Sequence, residues 1–285
     1  MNPIGVVICN YNKKDFVLQC VQSVLESKEK NFDIYVVDNA SSDGSAEALK
    51  KAYGNRITVI ENKENLGGSG GFNTGLRIVR DKGYSYFMCL DDDAAVDENA
   101  LSVLYHYMEE HTDTGMAGCR VYHTQMPDYI QQSGLLIDFD NCTAKTIGAD
   151  MPEDGSLPDV IECDTVATCA VMVRADTVKQ KGVGIMPEDN FIYWDDMEWG
   201  YRIKLAGYRV VTLAEAKALH QMGANTKKEN TFINYYMWRN RTNFFMRFTP
   251  EAQMEAMSVK VLGAVFDAMY ESMFREEHNL SLIHI

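Results

Sequence analysis

The first 110 residues alternate short apolar runs with segments of helical spacing, and this alternation constrains the fold more than any other feature. Runs of strand length and segments with apolar residues on one helical face follow one another four times. Such alternation predicts an α/β fold with a mainly parallel central sheet, whose ligands gather at the carboxyl ends of the strands. The strands are predicted at residues 4–9, 34–37, 57–60 and 86–90, and the helices at 14–25, 46–53, 75–82 and 99–110.

The pattern loosens after residue 111. Residues 120–163 are rich in turn formers and acids, which predicts an irregular segment with one hairpin around 135–137. A buried strand is expected at 163–174, a helix at 193–206, a short strand at 208–213 and then a short helical run. From about residue 229 the spacing is helical, so the chain is predicted to end in a helical extension.

Charge and cysteine content exclude some classes of protein. The formal net charge of −14 disfavours nucleic acid as a partner, because bulk electrostatics would repel it. The seven cysteines form no C-x-x-C pair and several lie in apolar runs, so they are interpreted as buried free thiols in a reducing compartment. Neither a signal peptide nor a membrane-spanning stretch is evident, which favours a cytoplasmic location.

Three acids, Asp91, Asp92 and Asp93, directly follow the predicted strand at 86–90. Adjacent carboxylates repel one another and lose solvation when partly buried, so a positive charge should offset them. Mg²⁺ or Mn²⁺ is the simplest candidate, because both prefer oxygen ligands and leave positions for substrate phosphates. The alternative is a solvated acidic loop that caps the next helix.

Two further segments lie at the ends of predicted strands. Asp38 follows the second strand, where its carboxylate would accept hydrogen bonds from a base or ribose, or else form a turn. The segment NLGGSGGFNTG contains Asn65, Gly67 and Gly68 and is interpreted as a loop that lets backbone approach a ligand. It matches neither a Walker A nor a G-x-G-x-x-G phosphate loop.

The segment FIYWDDMEWGYR has the strongest mechanistic content. On a helix that begins near Trp194, the carboxylates of Asp195 and Asp196 lie in the first turn and point about 100° apart. One of them can therefore bind backbone while the other faces a cleft. A carboxylate beside an indole can have a raised pKa that suits a general base, whereas acids in a first turn also simply stabilise the helix.

The remaining candidates are one histidine and two arginines in the C-terminal part of the chain. His220 is either a structural histidine or a ligand for a divalent metal. Arg239 and Arg241 alternate with aromatic residues, which suits either a grip on a diphosphate or a packed helix with solvated guanidinium groups.

Taken in order, these motifs resemble the family 2 glycosyltransferases of the GT-A fold. The resemblance covers roughly residues 3–245 and rests on CNYN, VVDNASSDGS, the N-x-G-G segment, the acidic triplet, W-D-D-x-E and a downstream histidine. Within that family, NLGGSGGFNTG, WDDMEWGYR and His220 are most similar to the galactofuranosyltransferases and their rhamnosyltransferase-like relatives. The resemblance implies a Rossmann-like fold that transfers a sugar from a nucleoside diphosphate.

The resemblance also implies roles for matching positions. Asp196 would be the catalytic base, and Asp195 would bind the acceptor or orient its neighbour. The metal would be held by Asp91, Asp93 and His220, with Asp92 near the donor sugar. The other residues expected to contact the donor are Asn10, Tyr11, Asp38, Asn65, Gly67, Gly68, Trp194 and Arg239.

The predicted organisation is a catalytic domain at 1–228 and a helical region at 229–285. A nucleotide-binding half would occupy about 1–115 and an acceptor-binding half about 116–228. The expected enzyme is an inverting, metal-dependent hexosyltransferase of cell-surface polysaccharide synthesis. It would use a UDP- or dTDP-linked donor, with galactofuranose or rhamnose favoured, and a glycan or lipid-linked acceptor. The terminal helices would dock on the domain, pair with another subunit or contact the inner face of the plasma membrane.

Two other functions fit parts of the sequence. A sugar nucleotidyltransferase also combines an α/β nucleotide fold with Mg²⁺, but it should carry a glycine-rich basic loop after the first strand. Here CNYNKKD has Lys13 and Lys14 without a glycine. An inactive scaffold of the same fold is the third reading, and the carboxylates present at every matched position argue against it.

Overall fold

The computed structural model describes residues 3–221 and 231–274. The helices are α1 (Lys14–Glu26), α2 (Ser45–Tyr53), α3 (Gly67–Lys82), α4 (Ala100–Glu110), α5 (Asp195–Leu205), α6 (Thr231–Phe248) and α7 (Met254–Phe274). The strands are β1 (Ile4–Asn10), β2 (Phe32–Asp38), β3 (Thr58–Glu61), β4 (Tyr86–Asp91), β5 (Ala94–Val96), β6 (Thr114–His123), β7 (Met126–Gln132), β8 (Leu135–Asp138), β9 (Thr143–Thr146), β10 (Met151–Pro152), β11 (Val160–Glu162), β12 (Ala170–Arg174) and β13 (Arg209–His220).

One large sheet organises the chain, in the order β10-β7-β6-β12-β4-β1-β2-β3. Strands β1 to β4, the first four in the chain, are parallel to one another, as the alternation predicted. Beyond β4 the sheet becomes mixed, because β12 pairs antiparallel with both β4 and β6. Strand β13 runs parallel to β6 and pairs antiparallel with β5 and β11. The parallel prediction therefore describes the N-terminal half of the sheet.

Helices cover both faces of this sheet. Strand β1 shows the division, since Val6 and Ile8 belong to one apolar cluster and Val7 to the other. The first cluster includes side chains of α1, α2 and α4, and the second includes side chains of α3 and α5. Strands buried on both faces read as continuous apolar runs, which is why their positions could be predicted.

The glycine-rich segment is helical, and its prediction as a loop before a helix at residue 75 was wrong. Helix α3 begins at Gly67. A Cβ at Gly75 would lie 2.4 Å from Cγ1 of Val7. The glycines thus let α3 pack directly against β1, and this packing offsets the low helix propensity of glycine.

Replacing Gly75 by Ala should destabilise the protein by about 1–3 kcal/mol, because the new methyl group overpacks against Val7. Gly263 of α7 is the matched control, since a Cβ there meets nothing within 4 Å. Ala at position 263 should leave stability unchanged or raise it by up to about 1 kcal/mol. Urea unfolding of both variants measures the difference. Equal stability of the two variants would contradict the packing role of Gly75.

The segment at 120–163 is largely ordered in strands, so the prediction of an irregular region was wrong except for the hairpin. Residues around 135–137 do form a hairpin, β8–β9. Strand β6 was missed because Gly115, Gly118 and Arg120 interrupt its apolar pattern. Arg120 is buried and pairs with Glu153, so its charge is compensated within the fold.

Strand β13 extends without a helical run to His220, which corrects the prediction of a short strand followed by a helical turn. An irregularity between Leu213 and Lys217 shifts its register against β6. The alanines at 214, 216 and 218 weakened the strand signal in the sequence. Pairing on both sides of β13 decides its conformation.

Helix α6 packs against the start of helix α5. Phe244 and Phe245 of α6 form a buried cluster with Trp194 and Met197, and Met257 of α7 joins it. The predicted boundary between residues 228 and 229 lies outside the described residues. Among the described helices, none has the length and apolar character needed to cross a membrane.

All seven cysteines are free, and all except the half-buried Cys9 are buried. This confirms their interpretation as buried thiols. Desolvation by burial raises the pKa of the Cys20 thiol and that of the Cys169 thiol well above the ordinary value of a cysteine.

Candidate active site

The carboxyl ends of the parallel strands bring separate motifs to one edge of the sheet. The register places Asn10 opposite Asp38, and Cys9 opposite Asp91. The short strand β5 then pairs with the end of β13 and places His220 opposite Ala94, directly after the acidic triplet. Sheet pairing therefore joins sequence positions that lie more than 100 residues apart.

Asp91, Asp93 and His220 form a group with the geometry of a metal site. Each offers one ligand atom, and these atoms lie within 4.8 Å of one another. Nε2 of His220 lies 3.2 Å from Oδ1 of Asp93 and 3.7 Å from Oδ2 of Asp91. Two carboxylates and one imidazole suit Mn²⁺ or Mg²⁺, and three protein ligands leave positions for phosphate oxygens. The donor set therefore fits a divalent cation.

Gln131 of β7 fixes the orientation of the imidazole, a role that nothing in the sequence indicated. Nδ1 of His220 donates to Oε1 of Gln131 at 2.7 Å, while Nε2 of Gln131 donates to the backbone oxygen of His220 at 3.2 Å. Nδ1 is thereby occupied and Nε2 faces the two carboxylates. Such a second hydrogen bond commonly orients a metal-binding histidine.

Within residues 3–221 and 231–274, Lys13 is the lysine or arginine nearest to the triplet. Its Nζ lies 3.1 Å from Oδ1 of Asp92 and 2.7 Å from Oδ2 of Asp93. The backbone N–H of Tyr11 donates to the other oxygen of Asp92. The sequence showed a basic pair after the first strand, but only the fold shows that Lys13 turns back to the acids.

The three acids of the triplet differ in the direction in which the fold shifts their pKa. Desolvation raises the pKa of Asp91 to about 6, against the attraction of His220. Burial also raises the pKa of Asp92 to about 6, although Lys13 opposes the shift. Burial acts the same way on Asp93, yet hydrogen bonds from His220 and Lys13 outweigh it and lower the pKa of Asp93. Asp93 thus carries the best compensated charge of the three.

A strained turn leads into helix α5. Phe191, Tyr193 and Trp194 all have positive φ angles of 63–64°. Non-glycine residues rarely adopt this region, and such strain concentrates at functional sites. The backbone oxygen of Phe191 accepts from Ser69 at the start of α3, and a Cβ at Gly67 would lie 2.2 Å from that oxygen. Only glycine fits there, so the N-x-G-G segment contacts the turn that carries the W-D-D motif.

Asp195 and Asp196 have different surroundings. Oδ2 of Asp195 accepts from the Ser69 hydroxyl at 2.9 Å, and its side chain is buried. Asp196 is half-buried, and its Oδ1 accepts from the backbone N–H of Met197 at 2.7 Å. Burial and the neighbouring charge of Asp195 raise the pKa of Asp196 to about 7. Asp195 is held in place, whereas Asp196 is suited to accept a proton near neutral pH.

A cavity of about 780 Å³ connects these groups. Asp91 and Asp92 lie on its wall together with Asp195 and Asp196. Of the residues predicted to contact the donor, Tyr11, Asn65, Gly67, Gly68 and Trp194 also line it. The hairpin β8–β9 and helix α6 contribute Leu135, Thr143, Ala144, Thr146, Phe232, Met237 and Arg241.

Three predicted donor contacts are placed differently. Asp38 and Asn10 are buried beside the cavity without lining it, and Nδ2 of Asn10 donates to Oδ1 of Asp38 at 2.9 Å. Arg239 does not line the cavity either, because its guanidinium donates to the backbone oxygens of Asp189 and Asn190. Arg241 lies on the wall in its place. Arg239 thus contacts the protein's own backbone, and its contact with a diphosphate stays a prediction.

Solved structures with the same architecture define the class of fold. Staphylococcus aureus TarS 1–349 in complex with UDP superposes with a TM-score of 0.62 at 14% identity, over 96% of this chain and 75% of that one. GalNAc-T7 with UDP, GalNAc and Mn²⁺ gives a TM-score of 0.67 at 14% identity, over 87% and 48%. At these identities the likeness establishes the fold, which is the GT-A fold of sugar transferases expected from the sequence.

The family follows from the sequence match. The model of glycosyl transferase family 2 matches residues 5–166, more than half of the chain, and the chain belongs to that family. The teichoic acid poly(glycerol phosphate) polymerase of Staphylococcus epidermidis is 27% identical over 146 residues. That match covers 50% of this chain and 19% of the relative, so the chain corresponds to about a fifth of that protein. Family membership confirms the predicted family and favours sugar transfer over nucleotidyl transfer.

Proposed function

We propose that the protein is a metal-dependent, inverting glycosyltransferase that uses a nucleoside diphosphate sugar in cell-surface polysaccharide synthesis. The observation that carries the proposal is one cavity with two kinds of acid on its wall. Asp91 belongs to a three-residue group suited to a divalent cation, and Asp196 is a separate carboxylate with a raised pKa. Donor activation and acceptor activation require two such groups.

The proposed metal ligands are Asp91, Asp93 and His220, held by the strand pairing of β5 with β13. The chemistry that a divalent cation supplies at such a site is neutralisation of charge on the departing diphosphate. Asp92 would lie near the donor sugar, where Lys13 and the Tyr11 backbone hold it. The N-terminal half of the chain thus binds the donor in this proposal.

Asp196 would take the proton of the acceptor hydroxyl. The acceptor oxygen forms a bond to the anomeric carbon while the bond from that carbon to the diphosphate breaks, so the nucleoside diphosphate leaves with the bonding electrons. A single displacement of this kind inverts the configuration. Asp195, fixed by Ser69, would orient its neighbour or bind the acceptor.

The relatives support this proposal in part. The structures of TarS in complex with UDP and of GalNAc-T7 with UDP, GalNAc and Mn²⁺ support a UDP-linked donor and a divalent metal. The name of the teichoic acid polymerase supports a cell-surface polysaccharide as product. The donor sugar, galactofuranose or rhamnose, and the glycan or lipid-linked acceptor are proposed from the motif resemblance alone. The cytoplasmic location is proposed from the free thiols.

Nucleotide binding tests the proposal directly. UDP and dTDP are titrated calorimetrically with Mn²⁺, with Mg²⁺ and with EDTA. We expect one nucleotide to bind with metal and to bind at least about tenfold more weakly in EDTA, a difference of about 1.4 kcal/mol. Absence of binding in every series would rule out a transferase that uses a UDP- or dTDP-linked donor.

The activity should fall on the acidic side of neutrality. Asp196 must be ionised to accept a proton, and its pKa is raised to about 7. Turnover should therefore be full above pH 8 and fall about tenfold per pH unit below the pKa. A bound cation offsets the charge of Asp91, so the transition is expected at or slightly below pH 7. A pH profile of nucleoside diphosphate release that stays flat from pH 5 to 8 would contradict the base assignment.

A further inference from the structure

Helix α6 contributes a buried amide to the turn that precedes the two candidate acids. Asn240 is 0% exposed. Its Nδ2 lies 2.8 Å from each of three backbone oxygens, those of Asn190, Ile192 and Tyr193. An amide nitrogen has two N–H groups, so the three contacts share two hydrogens. One side chain therefore satisfies most of the carbonyl groups of this turn.

The orientation of the Asn240 amide is itself fixed. Nε of Arg239 donates to Oδ1 of Asn240 at 2.8 Å, and Nη2 of Arg239 donates to the backbone oxygens of Asp189 and Asn190. The amide oxygen is thus occupied by a cation, which leaves the nitrogen to face the turn. Two consecutive residues of α6 hold the backbone at 189–193.

The turn needs such support because its conformation is strained. Three of the four residues from Phe191 to Trp194 have positive φ angles. Each residue of this kind costs about 1–3 kcal/mol and persists only where its surroundings fix it. The backbone N–H of Ser69 in α3 donates to Phe191 of the turn, and the side chain of Asn240 in α6 donates to Ile192. Two different helices therefore hold the turn.

We infer that Asn240 is a positioning residue that holds the strained turn and thereby sets the direction in which Asp196 faces the cavity. This inference rests on the proposed role of Asp196 as the base. Asp196 lies four residues after Ile192, in the first turn of α5. A shift of the strained turn would therefore rotate the start of α5 and redirect the carboxylate of Asp196. Helix α6 then belongs to the active site in function, although it follows the predicted catalytic domain.

The test is Asn240→Asp, which keeps the shape and the Arg239 contact but removes both N–H donors. Nucleoside diphosphate release from UDP-galactofuranose or dTDP-rhamnose should fall about 10- to 100-fold in kcat, because small misplacement of a catalytic group has effects of that size. The affinity for UDP with Mn²⁺ should change by less than about twofold, because the proposed metal ligands Asp91, Asp93 and His220 lie on other elements. Asn240→Ser, which retains one donor, should be intermediate and guards against loss of folding in the first variant.

Asn243 provides the matched control. It lies on the next turn of α6 and makes no side-chain hydrogen bond within the two described ranges of the chain. Asn243→Asp introduces the same charge and should leave turnover and exchange unchanged. If Asn240→Asp matches Asn243→Asp in turnover, the positioning role is overturned.

Hydrogen exchange separates this inference from the proposed function. Amide exchange in residues 189–197 should rise in Asn240→Asp and stay at the wild-type level in Asn243→Asp, whether or not a sugar is transferred. Unchanged exchange in the first variant would overturn the inference. If the wild type turns over neither donor, the proposed function fails for those donors. Raised exchange confined to residues 189–197 would still show that Asn240 stabilises the turn.

Discussion

Replacing Asp196 by Asn should lower turnover by about 100- to 10,000-fold, the range expected when a general base is removed. The affinity for UDP and Mn²⁺ should stay near that of the wild type, because Asp196 is not among the proposed metal ligands. Asn retains the size of the side chain and the acceptor for the Met197 N–H. Kinetics and calorimetry on one preparation measure both effects.

The same substitution should not destabilise the protein. Burial raises the pKa of Asp196 from 3.8 to about 7, so the folded state binds the proton more tightly than the unfolded state. The stabilising effect of the protonated carboxyl is present at low pH and is lost as the pH rises through 7. At pH 8 the neutral Asn should therefore give a Tm equal to or above that of the wild type.

Asp176→Asn is the control for this prediction. Asp176 is exposed and pairs with Lys179 at the surface, away from the residues that line the cavity. Its turnover and Tm should match those of the wild type. A turnover of Asp196→Asn within about tenfold of that control would show that Asp196 is not the base.

Replacing Asp91 by Asn should remove the response to metal and lower turnover by at least about a hundredfold, because electrostatic stabilisation of several kcal/mol is withdrawn. Without metal the variant should be as stable as the wild type or more stable. Desolvation raises the pKa of Asp91 to about 6, so at pH 8 its charged carboxylate is less favourable in the folded than in the unfolded state. The variant removes that charge and its repulsion with Asp93.

Thermal unfolding with and without Mn²⁺ gives the readout. At a hundredfold excess over Kd, a ligand of the folded state stabilises it by about 2.7 kcal/mol, so the wild-type Tm should rise measurably. The rise should vanish in Asp91→Asn and persist in Asp81→Asn, which changes an exposed carboxylate paired with Arg80. An equal rise in all three proteins would place the metal elsewhere.

The candidate site was partly predictable from single residues. Asp91, Asp92, Asp195 and Asp196 were candidates because acids after an apolar strand or beside an indole suit metal binding or base catalysis, although such acids also stabilise helix starts. All four line the cavity. Lys13 was visible as a basic residue after β1, but nothing in the sequence indicated which acids it would meet. Gln131 and Asn240 gave no signal, since an amide acts only through the groups that the fold places around it.

The sequence by itself determined the parallel half of the sheet, because strands buried on both faces must be apolar throughout and their helices need one apolar face. It also determined the candidate acids, whose clustered charge requires compensation. The tertiary structure decided the rest. Pairing of β5 with β13 brings His220 to the triplet, close packing against β1 makes the glycine-rich segment a helix, and Asn240 stabilises a turn of positive φ angles. These outcomes depend on contacts between distant segments, which local periodicity does not record.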